Sequence, residues 1–123
     1  MPRQPLVVLV EDQEALGSVL GELFAREGYD VVSVHDCTAA RAVAKEREVD
    51  LLVLDATAAQ EREPVETVCL DHPGIAVIAV RNPEDVTVPF FGPWRLDGRV
   101  ATLRRPFKLD DLLSAARELV APV

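Results

Sequence analysis

Glu11 and Asp12 stand side by side directly after an apolar run, Val7-Val8-Leu9-Val10. Asp55 closes a second such run, Arg81 closes a third, and the step Arg104-Arg105-Pro106 closes a fourth. Taken singly, acidic residues at such places end strands and cap the helices that follow, as Glu11, Asp12 and Glu14 could do for a helix beginning near residue 14. Taken together they suggest another chemistry. Three carboxylates a few ångströms apart repel by roughly 4 kcal/mol per pair at an effective dielectric of 20, so a shared pocket needs compensation. Hard oxygen donors of this kind suit Mg2+, which accepts one or two carboxylates, a backbone carbonyl and several waters.

Whether these residues meet depends on the elements that carry them. Residues 6–10 form an uninterrupted apolar run rich in β-branched side chains, bounded by Pro5 and the Glu11-Asp12 pair, and read as a strand buried on both faces. From Glu14 the period changes. Leu16, Val19, Leu20, Leu23 and Phe24 recur at helical spacing and Gly28 follows as a stop, which predicts an amphipathic helix. Residues 29–34 read as a second strand, and Ala40, Val43 and Ala44 give a short second helix its apolar stripe. Residues 51–54, ended by Asp55, predict a third strand; a third helix is expected from about Pro64, with Val65, Val68 and Cys69 inward. Residues 75–80 predict a fourth strand and 99–103 a fifth. Leu109, Leu112, Leu113, Ala116, Leu119 and Val120 mark a last helix, with Asp110 and Asp111 in its first turn.

Between the fourth and fifth strands the rhythm breaks. Prolines 83, 89 and 93, with Gly92 and Gly98, punctuate residues 82–98 and predict a fourth helix that is short or irregular. Phe90, Phe91 and Trp94 cluster there, half of the six aromatic residues in the chain; they read either as a partner-binding patch or as cover for a sheet face that a shortened helix leaves bare. Five buried strands alternating with helices, joined by connections too long for hairpins, predict a doubly wound α/β domain with a parallel sheet. In such sheets functional groups collect at the carboxyl ends of the strands, where strand order reverses, so Glu11, Asp12 and Asp55 share one crevice if the first and third strands are neighbours.

Composition narrows the function. The 123 residues are expected to form one domain with no effector domain attached, 49% hydrophobic and 28% charged, with no apolar run of membrane-spanning length. The absence of a secretory segment at the start predicts a cytoplasmic protein. A net charge of −8 argues against nucleic acid as a direct partner. Cys37 and Cys69 are far apart among apolar neighbours and read as buried thiols; His35 and His72 have no ligand-spaced companion.

The segments Val7-Val8-Leu9-Val10-Glu11-Asp12, Asp50-Leu51-Leu52-Val53-Leu54-Asp55 and Arg105-Pro106-Phe107 resemble, in order, the three signature segments of receiver domains from two-component response regulators. The resemblance implies a flavodoxin-like strand order 2-1-3-4-5, the order that family illustrates among doubly wound folds. It implies that Glu11 and Asp12 hold Mg2+, that the backbone carbonyl of Thr57 completes the metal site, and that Asp55 is the residue phosphorylated from a histidine kinase or phosphotransfer protein. The implied role is a signalling module rather than an enzyme, passing its state to a downstream protein target, with a homodimer among the arrangements it admits.

The chain departs from that pattern at four places. Arg81 stands where receivers carry a Thr or Ser, Arg105 where they carry Lys, and Thr102 where an aromatic ring switches rotamer; the turn elements expected after the phosphorylated Asp are replaced by Ala58-Ala59 and Glu61-Arg62-Glu63. Arg105 keeps the charge in a wider planar fork. Arg81 adds a five-donor cation, which either pairs with Asp55 or the Glu11-Asp12 pair and partly replaces Mg2+, or turns to solvent. These departures imply a degenerate switch: the intact Glu11, Asp12 and Asp55 set favours a phosphoacceptor, while the loss of the hydroxyl, the aromatic ring and a regular fourth helix favours the alternative of a phosphorylation-independent pseudo-receiver that works as an interaction module.

Overall fold

The computed structural model describes residues 4–11, 13–55, 72, 74–81, 100–104 and 106–122. Asp12, Thr57, Cys69 and Arg105, the helix expected from Pro64, and residues 82–98 with Phe90, Phe91 and Trp94 lie outside the described residues; at Asp55, Arg81, Thr102 and Arg104 it is the strand position that is described. Five parallel strands, β1 (Leu6–Val10), β2 (Asp30–Val34), β3 (Leu51–Asp55), β4 (Ala76–Arg81) and β5 (Val100–Arg104), form one sheet in the order β2-β1-β3-β4-β5. Three helices are described, α1 (Glu14–Arg26), α2 (Cys37–Glu46) and α3 (Leu109–Leu119). The fold class and strand order are those expected. Strand limits shift by one residue: Tyr29 precedes β2, and Arg81 and Arg104 are the last residues of β4 and β5 rather than residues beyond them.

The central strands β1 and β3 are apolar along nearly their whole length because both sheet faces are covered there, whereas the edge strand β2 carries Asp30 and Ser33. Even-numbered residues of β1 and β3, Leu6, Val8, Val10, Leu52 and Leu54, pack with Cys37, Ala40 and Ala44 of α2. Odd-numbered ones, Val7, Leu9, Leu51 and Val53, pack with Leu20 and Phe24 of α1 and Leu112, Leu113 and Ala116 of α3. β1 has strands on both edges and helices over both faces, so all five of its residues are buried. Cys37 is buried, as expected, and His35 is exposed.

Two helical stripes differ from expectation. Leu16 and Val19 of α1 and Leu109 of α3 are exposed rather than inward, at 38%, 56% and 46%. Val19 lies about 100° around the helix from Leu20, off the edge of the buried arc. Leu16 and Leu109 occupy first turns, where each helix overhangs the end of the sheet.

Local signals the apolar pattern does not carry complete the frame. Asp36 caps α2, its Oδ1 accepting the Ala39 N–H at 2.8 Å. Asp36→Ala should cost about 1 kcal/mol of stability, read as a lowered urea midpoint with unchanged m. The Asp50 carboxylate accepts the Leu6 N–H at 2.7 Å while the Asp50 N–H donates to the Leu6 carbonyl at 3.0 Å. This exchange locks β1 and β3 in register at the sheet end opposite the crevice.

Candidate functional site

The sheet register brings the strand-ending polar residues into one row. β1 and β3 pair as Val7↔Leu51, Val8↔Leu52 and Leu9↔Val53; counted two residues on, Glu11 and Asp55 fall level on adjacent strands. Asp55 pairs with Val80, and Arg81, the next residue of β4, pairs with Arg104 of β5. Neighbouring strands lie about 4.8 Å apart, so the backbones of Glu11, Asp55, Arg81 and Arg104 span about 15 Å along one sheet edge. Strand order reverses between β1 and β3, the position at which open parallel sheets bind ligands. Thr102 pairs with Ala79 in the same β4–β5 ladder, one turn of the pleat below the row.

Glu11 is fixed from two sides. Its N–H donates to the Val34 carbonyl at 2.9 Å, carrying the β1–β2 ladder one residue past the strand. Its Oε1 accepts the N–H of Gln13, the residue that precedes α1, at 3.2 Å. The carboxylate therefore holds the entry to the first helix, taking the amide of Gln13 rather than one from the first helical turn. Sequence reasoning missed Gly17. A Cβ there would stand 2.8 Å from the Ser33 Oγ and 3.7 Å from the Glu11 Cβ, so α1 approaches the Glu11 end of the sheet more closely than a side chain would allow. A glycine inside a helical pattern was the available signal.

Below the row lies a cavity of about 190 Å3, lined among the described residues by Glu11 and by apolar side chains including Leu9, Leu20, Val53, Phe107 and Leu112, with the exposed Leu16 and Leu109 at its rim. Charges at the edge of such a floor are less screened than in water, so attraction between a cation and the Glu11 carboxylate is strengthened there. The row joins two acidic positions to two basic ones, an arrangement that suits an anion held by arginines beside carboxylates that can ligate a hard cation.

No protein-family model matches the chain, and comparison with curated proteins finds no match. Solved structures do match. The receiver domain of a response regulator from Clostridium thermocellum superposes with a TM-score of 0.78 at 16% identity, covering 94% of each chain. The signal receiver domain of an HD domain-containing protein from Pseudomonas fluorescens Pf-5 gives 0.77 at 24% identity, covering 98% of this chain and 89% of that one. The chain has the receiver-domain fold. A response regulator from Burkholderia pseudomallei, described with a phosphorylated aspartic acid, a calcium ion and citrate, matches at 0.71 and 17% identity over 90% of this chain and 65% of that one. The row from Glu11 to Arg104 lies at the carboxyl edge of the sheet.

Proposed function

We propose that this chain is a receiver module of two-component signalling that accepts a phosphoryl group on Asp55 and carries a degenerate switch. The observation that carries the reading is the receiver fold with Asp55 as the last residue of β3, level with Glu11 across the reversal of strand order. The Asp55 carboxylate attacks the phosphorus of a phosphodonor; the bond from phosphorus to the donor atom breaks, and the leaving group departs with its electron pair. The donor is a histidine kinase or phosphotransfer protein, and a downstream protein, or a second copy of the chain, reads the product. Single-domain organisation over 1–123, a cytoplasmic setting, and no direct contact with nucleic acid or membrane belong to the same reading; among the described residues no helix is long and apolar enough to cross a membrane.

A divalent cation belongs to the same reading, supported by one described side chain and one neighbour, although no group of three metal-ligating side chains occurs among the described residues. Glu11, a hard oxygen donor, is anchored beside the position of Asp55, and the Burkholderia neighbour bears a calcium ion together with its phosphorylated aspartate. Glu11, Asp12, Asp55 and the Thr57 carbonyl would hold Mg2+, whose chemistry is to neutralise phosphoryl oxygens. Arg105 supplies the positive charge of the usual Lys. Arg81, at the end of the strand next to Asp55, competes for the same carboxylates. Arg81→Thr should therefore tighten Mg2+ binding by about tenfold, the effect of removing one competing cation near the site. Calorimetric titration checks this, and an unchanged affinity would show that Arg81 does not substitute for the metal.

Intact-mass measurement after incubation with Mg2+ and acetyl phosphate tests the function itself. One added phosphate is expected. No adduct, under conditions that label an ordinary receiver, would overturn the reading in favour of the phosphorylation-independent interaction module that Thr102 and Arg81 suggest.

A further inference from the structure

β2 forms one edge of the described sheet, and its pairing with β1 fixes which of its backbone groups point outward. The Asp30 N–H donates to the Pro5 carbonyl at 2.9 Å, and the Val34 carbonyl accepts the Glu11 N–H at 2.9 Å. Even-numbered residues of β2 thus turn their backbone groups toward β1. Val31 and Ser33 turn theirs the other way, so two N–H and two C=O groups point off the sheet. Natural sheets guard such edges with proline, bulges or charge. β2 has no proline, its register against β1 runs one to one without a bulge, and its only charged residue, Asp30, stands at the first position and is ion-paired with Arg47 at 2.6 Å.

Beside this edge, on the α1 side, runs an open groove of about 540 Å3 whose described lining includes Gly17, Gly21, Glu22, Asp30, Val31 and Ser33. The close approach of α1 to Ser33 requires Gly17. Gly21 is different, because a Cβ there would meet the Val31 Cγ1 at 3.6 Å, an ordinary contact. Alanine at Gly21 would fit and would favour the helix; glycine instead leaves the groove wide.

We propose that the outer edge of β2 takes an extended, basic segment of a partner protein as a sixth strand. Residues of that segment opposite Val31 and Ser33 exchange hydrogen bonds with them and project their side chains to the same face, into the groove. There they meet the carboxylates of Glu22 and Asp30, and no cation lines the groove among the described residues. Each carboxylate already holds one arginine, Arg26 at 3.1 Å and Arg47 at 2.6 Å, in pairs about half exposed or more. Such pairs are weak, and a carboxylate accepts more than one donor. The intervening residue of the segment falls beside Val32, which packs with the α2 layer, and is apolar. The segment therefore reads basic, apolar, basic. A second copy of this chain suits the edge poorly: its own β2 would bring valine and serine to the groove, and a net charge of −8 toward another of −8. The surface does not depend on chemistry at Asp55.

Nuclear magnetic resonance titration of the full chain with the capped peptide Val-Lys-Val-Lys-Val tests the proposal. Saturable shifts are expected, larger at the outward amides of Val31 and Ser33 than at the inward amides of Val32 and Val34. The peptide with Glu in place of both Lys should bind at least about tenfold more weakly. Val31→Pro removes an outward N–H that the domain's own sheet does not use, and should weaken the Lys peptide by about tenfold or more. Glu22→Gln keeps the shape of an exposed side chain and should weaken it several-fold, which holds the test open if the proline variant fails to fold. Shifts centred away from β2, equal binding of the Glu peptide, or indifference to Glu22→Gln would each overturn the proposal. Sedimentation that shows the chain pairing with itself through this edge, abolished by Val31→Pro, would overturn it in favour of a second copy.

Discussion

Asp55→Asn is expected to abolish phosphate incorporation from acetyl phosphate while leaving the domain folded. The side chain keeps its shape, but an amide has neither the negative charge nor the nucleophilicity that attack on phosphorus requires. Stability should hold or rise. Asp55 is tied into the sheet by its backbone, in register with Val80, and that pairing survives the substitution. Removing one charge from the Glu11, Asp12 and Asp55 positions also relieves repulsion, which at an effective dielectric of 20 reaches roughly 4 kcal/mol for a close pair. Intact mass read beside a thermal melt separates the outcomes. Loss of the adduct at an unchanged or higher midpoint assigns the chemistry to Asp55; a retained adduct places it on another residue.

The largest effect on stability is expected at Phe24. Its side chain is fully buried near the end of α1, packed with Leu20, Leu112 and Ala116 and edge to face with Tyr29. Phe24→Ala removes a ring from the seam where α1 and α3 meet on the sheet and leaves a cavity, at a cost of about 3–5 kcal/mol. Against a total of roughly 5–15 kcal/mol for a typical domain, that loss is large enough to populate unfolded chain. Urea unfolding should show a much lower midpoint. A change under about 1 kcal/mol would mean that the seam repacks around the missing ring.

The contrast between Phe24 and Tyr29 shows what the sequence makes legible. Phe24 belongs to a helical repeat four residues from Leu20, so its burial follows from periodicity alone. Tyr29 lies next to a stop glycine, and its partner is a backbone carbonyl 91 residues away, which no local pattern encodes. The same division holds at the site. Glu11, Asp55 and Arg81 stand out because each closes an apolar strand. Alternating strands and helices indicate a parallel sheet, yet they do not select its strand order, since several orders bury the same residues; the order came from resemblance to receivers. Val19 lies off the edge of the buried arc, whereas Leu16 and Leu109 differ from expectation because helical periodicity describes an endless helix. It contains no information about where the sheet beneath stops.

The order of the strands also sets an order of assembly. β1 lies between β2 and β3, and every later strand adds to the β3 side, so the sheet can grow outward as the chain emerges. The layer beneath α1 takes in Leu112, Leu113 and Ala116 of the last helix. During synthesis Val7, Leu9 and Phe24 must wait for side chains nearly ninety positions or more downstream, and in that interval one face of the nascent sheet is open to chaperones, or to another copy of itself.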